Sequence, residues 1–474
     1  MTPVPRASRT ETAPLLAGRN FRILWLAQLL SQVGQNAVLF TLLVIVISKT
    51  GSTTSSSVLV LSYVIPSVVF GMIGGLLVDR WRKRDILIDS NIARCGAAVA
   101  FLFSSDHVWL LYMINLGFAS VSQLFSTAEI STVPFIVSRQ RLIAANSLVS
   151  LAWTASQFGG MVFLAPIFLK AFGSDALFVF TAALFLIAGG LARSLPQIER
   201  GQGAEAPEQE AFLKTAPSEM IRALRLLRSD RASLLAMGQL TLSSSLVLLF
   251  AVLVPRFMQE VLRIRADDAV YVFAPTGIGA VLGLRLLPWL AGRIGKNRIV
   301  AFSLVGLAAS LVGLGMLESI ADLLERTESM NPFGRERLSG LSLLVALAML
   351  FAGPLGFFYA MVNAPAQTVL HERAPPEMRG RVFGAQLALA SMTAIIPLLL
   401  VGAVADLYGV SAVLLAIAVV AATVAALSIL LPRRRADVLK RGKGLPAAIW
   451  RRFNAKRMPE AEAASPIDTD RGVG

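Results

Sequence analysis

The stretch GGLLVDRWRKR, residues 74–84, closes a long apolar run with one acid, four bases and a tryptophan. A similar stretch, WLAGRIGKNR, stands at residues 289–298. The run ahead of each is long enough to cross a hydrocarbon core as a helix, which takes about 20 apolar residues. Such runs recur along a chain of 474 residues, 55% of them hydrophobic and only 15% charged. A soluble chain of this length needs far more polar surface. The composition therefore predicts an all-α polytopic membrane protein.

Apolar length predicts twelve spans, at roughly 21–48, 57–79, 85–103, 107–134, 142–170 and 174–194, then 231–259, 267–291, 298–317, 341–371, 380–405 and 410–432. The expected organisation is an N-terminal segment 1–20, a six-helix bundle 21–194, a central loop 195–230, a second six-helix bundle 231–432 and a tail 433–474. An even number of spans puts both termini on one side. Of the 44 Lys and Arg, 34 fall in the N-terminus, the even-to-odd loops and the tail. The positive-inside rule then makes those segments cytoplasmic. Arg80, Arg82, Lys83 and Arg84 thus sit in a cytoplasmic turn, and Trp81 suits the interface. The net charge of +15 anchors topology. It does not mark a nucleic-acid binder, whose basic residues collect on one soluble domain.

Other classes fall away as well. Cys95 is the only cysteine, and His107 and His371 are the only histidines, so no zinc-like cluster exists. The chain has no phosphate-binding loop, no catalytic constellation and no cofactor motif. GIGAVLG at 277–283 resembles a dinucleotide loop but lies inside an apolar span with no strand before it. Gly277, Gly279 and Gly283 read there as sites of close helix packing. The first apolar run is too long for a signal-peptide core and reads as a retained helix. PSEMIRALRLLRSD at 217–230 and AAIWRRF at 447–453 are expected to lie on or touch the membrane surface.

The chain also matches itself. AQL at 27–29 aligns with GQL at 238–240, Arg80 with Arg293, and the TV pair at 132–133 with that at 368–369. The offset grows between the second and third matches by the length of the polar segment 318–340. The second half is the first plus one extracytoplasmic insertion. Repeated halves with a site between them are a transporter architecture.

GLLVDRWRKRDIL, residues 75–87, resembles the loop signature of the major facilitator superfamily. Gly75, Leu77, Asp79, Arg80, Arg84 and Leu87 match it, and Lys83 keeps the charge. Arg82 replaces an inner glycine, as in the branch of the enterobactin exporter and macrolide efflux proteins. RNFRILWLAQLLSQVG and NAPAQTVLHERAPPEMRGRVFG are similar to that branch too. The resemblance covers about residues 19–432 and implies a bacterial inner-membrane transporter. It implies that Asp79 braces the cytoplasmic gate at the start of the eleventh span, where Arg379, the amides of 380–382 and Arg381 are candidate partners. A carboxylate favours a helix N-terminus and a nearby base. Gly292 stands where the second half would repeat the acid, next to Arg293. The chain departs from the superfamily's drug–proton antiporters in two places. The fourth span has no arginine near Gly117, and the fifth keeps only Gly159, Gly160 and Ala165-Pro166 of a Gly-rich run.

A substrate cavity between the halves should show as polar stripes. Gln28, Ser31, Gln32, Gln35 and Asn36 share one face of the first span. Gln239 and Ser243 repeat two of them in the seventh. Asn115 and Gln123 mark the fourth span, and Asn146, Ser150, Trp153 and Gln157 the fifth. Trp153 lies roughly 18 Å past Arg141 at 1.5 Å per residue. Tyr359, Asn363 and Gln367 share a face of the tenth span. The same residue types also join helices by hydrogen bonds. Amides, Trp and Tyr suit an amphipathic organic molecule with few fixed charges. Arg94 and Arg285 are expected to snorkel to the cytoplasmic interface, with Asp89 and Glu129 near it. No acid reads as mid-membrane, so the sequence names no proton carrier.

The sequence thus predicts a monomeric secondary transporter, not an enzyme, moving a small organic molecule across the bilayer by alternating access. The resemblance favours export, and a proton is the candidate coupling ion. The alternatives are uptake or lipid movement by the same fold, and a non-transporting membrane scaffold or sensor.

Overall fold

The computed structural model describes residues 15–104, 106–138, 141–197, 231–326, 343–373 and 379–430. The expected surface segments at 217–230 and 447–453 lie outside these. Residues up to Ser428 pack as one compact unit. Within it the first half runs α1 (Arg19–Thr50), α2 (Thr53–Arg80), α3 (Lys83–Leu102), α4 (Val108–Ile136), α5 (Leu142–Gln157) and α6 (Ala165–Arg193). The second half runs α7 (Arg231–Glu260), α8 (Ala269–Ile294), α9 (Lys296–Gly315), α10 (Leu317–Arg326), α11 (Leu343–Arg373), α12 (Arg379–Tyr408) and α13 (Val410–Leu430).

Ten described segments are long and apolar enough to span a membrane by themselves. Two features bring the fold to twelve. Lys83, Arg84, Asp85, Asp89 and Arg94 lower the hydropathy of α3, although it packs between α4 and α6. Residues 148–193 read as one apolar segment, but Gly173 adopts φ 81° and ψ 178° and turns the chain back. That backbone region is essentially restricted to glycine. The polar insertion starts with α10, which buries Leu317 and Ala321 against the bundle.

A wide turn, Phe158–Leu164, joins α5 to α6 with π-type bonding. Two residues explain it. Pro166 has no N–H to give the preceding turn. Gly160 lets α1 come close: a Cβ there would stand 2.8 Å from Asn36 Cβ. The remnant of the Gly-rich run is therefore a packing notch and a bulge, a device frequent at functional sites.

Small residues set the other close crossings. A methyl on Gly279 would collide with the Gly353 carbonyl, and one on Gly356 with the Thr276 carbonyl. The expected packing role holds for all three glycines: Gly279 and Gly283 face α11, and Gly277 faces Phe163 of the wide turn. The two halves meet along α2 with α12, α1 with α7, and Phe158–Leu164 with α8.

Gly279→Leu is expected to lower the midpoint of thermal unfolding in detergent, since overpacking a close contact costs about 1–3 kcal/mol. Gly292→Leu, at a position with nothing within 4 Å of a new Cβ, is the control and should leave it unchanged.

Candidate functional site

The centre of the unit holds a cavity of about 130 Å³. The first half lines it with Phe40 of α1, Gln157 at the end of α5, and Phe158, Met161 and Val162 of the wide turn. The second half contributes Phe250, Ala251 and Val254 of α7, Phe273 and Thr276 of α8, Leu307 of α9 and Tyr359 of α11, among others. The first-half residues after Phe40 come from one segment, the end of α5 and the wide turn. Phe158 and Tyr359 meet edge-on across the halves at 6.5 Å.

The polar lining is sparse. Thr276 keeps its buried hydroxyl oxygen without a partner. Gln367 donates to Asn363 Oδ1 at 2.9 Å, and Asn363 donates to the Tyr359 hydroxyl at 3.1 Å. The stripe expected on the tenth span is thus one hydrogen-bonded ladder whose Tyr359 end reaches the cavity.

Most other amides are committed to helix packing in this conformation. Gln28 is 0% exposed and donates to the Val149 carbonyl of α5 at 3.2 Å. Asn115 donates to Leu59 O at 3.1 Å and to Ser62 Oγ at 2.8 Å, both on α2. Gln239 donates to Ser428 Oγ at 3.2 Å. Asn36 donates to the Gln32 carbonyl one turn back, and Gln32 itself is buried. Ser31 joins α1 to Asn91 of α3 at 2.7 Å. Gln123 is half-buried, and Trp153 is 37% exposed. None of these lines the cavity; of the expected substrate residues only Gln157 and Tyr359 do. Each interhelical bond of this kind contributes about 0.6 kcal/mol on average.

Arg94 corrects the snorkelling expectation. Its side chain is 0% exposed and points into the first half. The guanidinium carbon lies 4.0 Å above the Phe125 ring and 5.2 Å above the Phe185 ring. Arg94 Nη1 donates to Gln35 Oε1 at 3.4 Å, and Gln35 donates to the Tyr63 hydroxyl at 2.6 Å. Glu129, expected near the interface, is also 0% exposed. Residue counting gave each a height along its helix but not a direction, and α3 and α4 turn both side chains inward. Arg285 is exposed.

The residues expected at a gate divide. The side chains of Asp79, Arg80, Arg379 and Arg381, and Gly75 with them, lie outside the described residues. Lys83 packs its ammonium 4.2 Å from the Phe135 ring. Arg84 donates to the Arg193 carbonyl, and Arg293 lies 4.2 Å from the Trp289 ring.

A clamp at the other end of α2 escaped the sequence reading. The Asp406 carboxylate, at the end of α12, accepts from the Thr53 N–H (2.6 Å), the Thr54 N–H (2.9 Å), the Ser52 hydroxyl (2.7 Å) and the Thr54 hydroxyl (2.7 Å). An acid of one half thus caps a helix N-terminus of the other. Beside it Arg256 of α7 donates to the Gly51 carbonyl, also at 2.6 Å, and to Glu260 at 3.0 Å. Lys170 and Asp268 form a third cross-half contact at 2.6 Å. The signal was present as a Ser-Thr-Thr cap sequence before α2 and a lone acid ending α12. Only their pairing was hidden.

Two six-helix halves closing on a central apolar cavity are the architecture of a membrane transporter. The chain belongs to the Major Facilitator Superfamily, whose family model matches residues 24–385. It is a transporter and not an enzyme. It is 26% identical over 362 residues to YfiS of Bacillus subtilis (strain 168), named an uncharacterized MFS-type transporter, covering 75% of this chain and 79% of that one. It is 22% identical over 445 residues to the multidrug efflux pump Tap of Mycolicibacterium fortuitum, covering 90% and 98%. A crystal structure of an auto-inhibited POT family peptide transporter shares the fold, with a TM-score of 0.63, 16% identity, and 88% and 97% covered.

Asp406→Asn is expected to loosen the clamp. In a Cys95→Ala background, a cysteine at Ser56, buried beneath the clamp, should react faster with a membrane-impermeant thiol reagent. The expected rise is about twofold to fivefold, the population change for losing a charge at a helix N-terminus.

Proposed function

We propose that this chain exports a small, largely apolar organic compound by alternating access, through the cavity between its halves. The observation that carries the reading is the cavity itself. Phe40, Phe158, Phe250 and Phe273 supply aromatic surface, and Gln157, Thr276 and Tyr359 supply a few polar points. A site of this kind suits an amphipathic ligand without strong fixed charge. Similarity along 90% of the chain to a protein named a multidrug efflux pump supports export, in the direction of the efflux branch that the loop signature resembles.

The distribution of Lys and Arg supports cytoplasmic termini, and similarity to bacterial transporters supports an inner bacterial membrane. The Asp406 clamp is then extracytoplasmic. Asp79 is proposed as its opposite number at the cytoplasmic end of the same helix pair. The register supports this: Ser67 donates to Ser391, and Gly402 packs on Ser57, so α2 and α12 run antiparallel. The same register extended along both helices brings position 79 opposite position 380, at the start of α12. Alternating access then alternates two acid-capped ends, with Gly75, Arg80, Lys83, Arg84, Arg293, Arg379 and Arg381 around the cytoplasmic one. A monomer with a proton as coupling ion suffices for this cycle. Gln32, Gln35, Asn36, Gln123, Trp153, Asn363 and Gln367 are proposed to meet the compound in other states of the cycle.

The test is compound accumulation in a bacterium stripped of its main efflux pumps. Expression of the chain should lower accumulation of at least one member of a broad panel, and a protonophore should abolish the effect. Asp79→Asn should remove it, Ala251→Trp should block it by filling the cavity, and Gln157→Leu with Tyr359→Leu should change which compounds respond. Unchanged accumulation across the panel would reject export and leave uptake or lipid movement.

A further inference from the structure

Glu129 of α4 and Arg94 of α3 are, among the described residues of the first half, the two charged side chains that are fully buried and still carry polar atoms without a partner. Both are 0% exposed. Neither oxygen of Glu129 has a hydrogen-bond partner, and Arg94 Nη2 has none either. Each side chain nonetheless lies within Coulombic range of the other. Buried charges are ordinarily paired and hydrogen-bonded, because low dielectric makes an unpaired one very costly. A carboxylate stranded without any donor, beside a guanidinium that has a free N–H, is therefore not a structural ion pair. It is a pair held apart.

The surroundings isolate the two. The helices against α4 are α1, α2, α3 and α5. The described residues of α5 carry no charge. On α1, Arg22 is exposed and Gln35 is neutral. On α2, Tyr63 reaches the pair through Gln35 and Arg94. On α3, Lys83 stacks on Phe135, and Asp85 and Asp89 are not buried. Among the charged groups facing Glu129, Arg94 is the one that acts on it.

We propose that Glu129 is a proton-binding site, occupied in the conformation described here, and that Arg94 is its ionic partner when the proton leaves. The inference rests on the transporter reading and deepens it by naming the coupling group. The step is simple. The O–H bond of the Glu129 carboxyl breaks, the proton passes to water, and the carboxylate draws the Arg94 guanidinium toward it. Arg94 then leaves Gln35 Oε1, its long 3.4 Å contact. Gln35 is bonded to Tyr63 of α2, the helix whose N-terminus Asp406 caps. Loss of the proton at Glu129 thus acts on the helix that carries the clamp. An occupied site favours the clamped state, and an empty one favours its release.

The test needs no knowledge of the transported compound. Spin labels at Asp106→Cys and Glu318→Cys, both exposed and in opposite halves, report clamp opening in the full-length Cys95→Ala protein in lipid nanodiscs. The expected result is a short distance at low pH and a growing long-distance population as pH rises. Glu129→Gln should hold the short distance at every pH. Arg94→Lys, which keeps the cation, should retain the pH response. If Glu129→Gln fails to fold, Glu129→Asp carries the test and should keep the response with a displaced midpoint. A pH response unchanged in Glu129→Gln, or a midpoint unmoved in Glu129→Asp, overturns the proposal. So does a parent protein that ignores pH. Export and the proton site fail separately. An intact, Glu129-dependent pH response with no change in compound accumulation removes export alone. Lowered accumulation with a pH-blind distance removes the proton site alone.

Discussion

Hydrocarbon offers a polar group no water, so every donor and acceptor within the membrane must find its partner inside the protein. That constraint organises this molecule. It makes the chain helical, and it places Gln28, Ser31, Asn115 and Gln239 between helices, where each amide or hydroxyl joins two of them. It permits proline inside α2, α4, α7, α8, α11 and α12, because neighbouring helices compensate the broken backbone bonds. It also makes unmet groups conspicuous, among them the Thr276 hydroxyl at the cavity and the Glu129 carboxyl with Arg94.

Between helices hydrocarbon also supplies no hydrophobic drive, so contact depends on how closely backbones approach. Gly279, Gly353 and Gly356 bring α8 and α11 together within one half. Gly160 seats the wide turn on α1 within the first half, and across the halves Gly402 brings α12 to Ser57 of α2. The α2–α12 contact is the one a transport cycle must break and remake. Its described end is held by the Asp406 carboxylate on the N-terminus of α2, and Ser67–Ser391 and Gly402 join the two helices further along.

The cavity follows from the same geometry. The π-type turn before Pro166 widens the helix where Gln157, Phe158, Met161 and Val162 face the second half. The polar ladder Gln367–Asn363–Tyr359 holds a phenol at the edge of an otherwise apolar chamber.

Sequence alone determined the membrane class, the twelve spans, the repeated halves, the loop signature and the glycine packing of α8. All of these rest on local composition or on spacing along one helix, which hydropathy and period report directly. It did not determine which polar side chains face the cavity. Gln28 and Gln157 carry the same amide, yet one is bonded within the first half and the other lines the chamber. Nor did it reveal Phe40 or Phe250, since an aromatic ring facing lipid and one facing a cavity look alike in sequence. Arg94 and Glu129 were legible in depth but not in direction, because counting residues along a helix gives height and not azimuth. Azimuth, like the meeting of Asp406 with Thr53 from 353 residues away, is decided only when one helix packs against another.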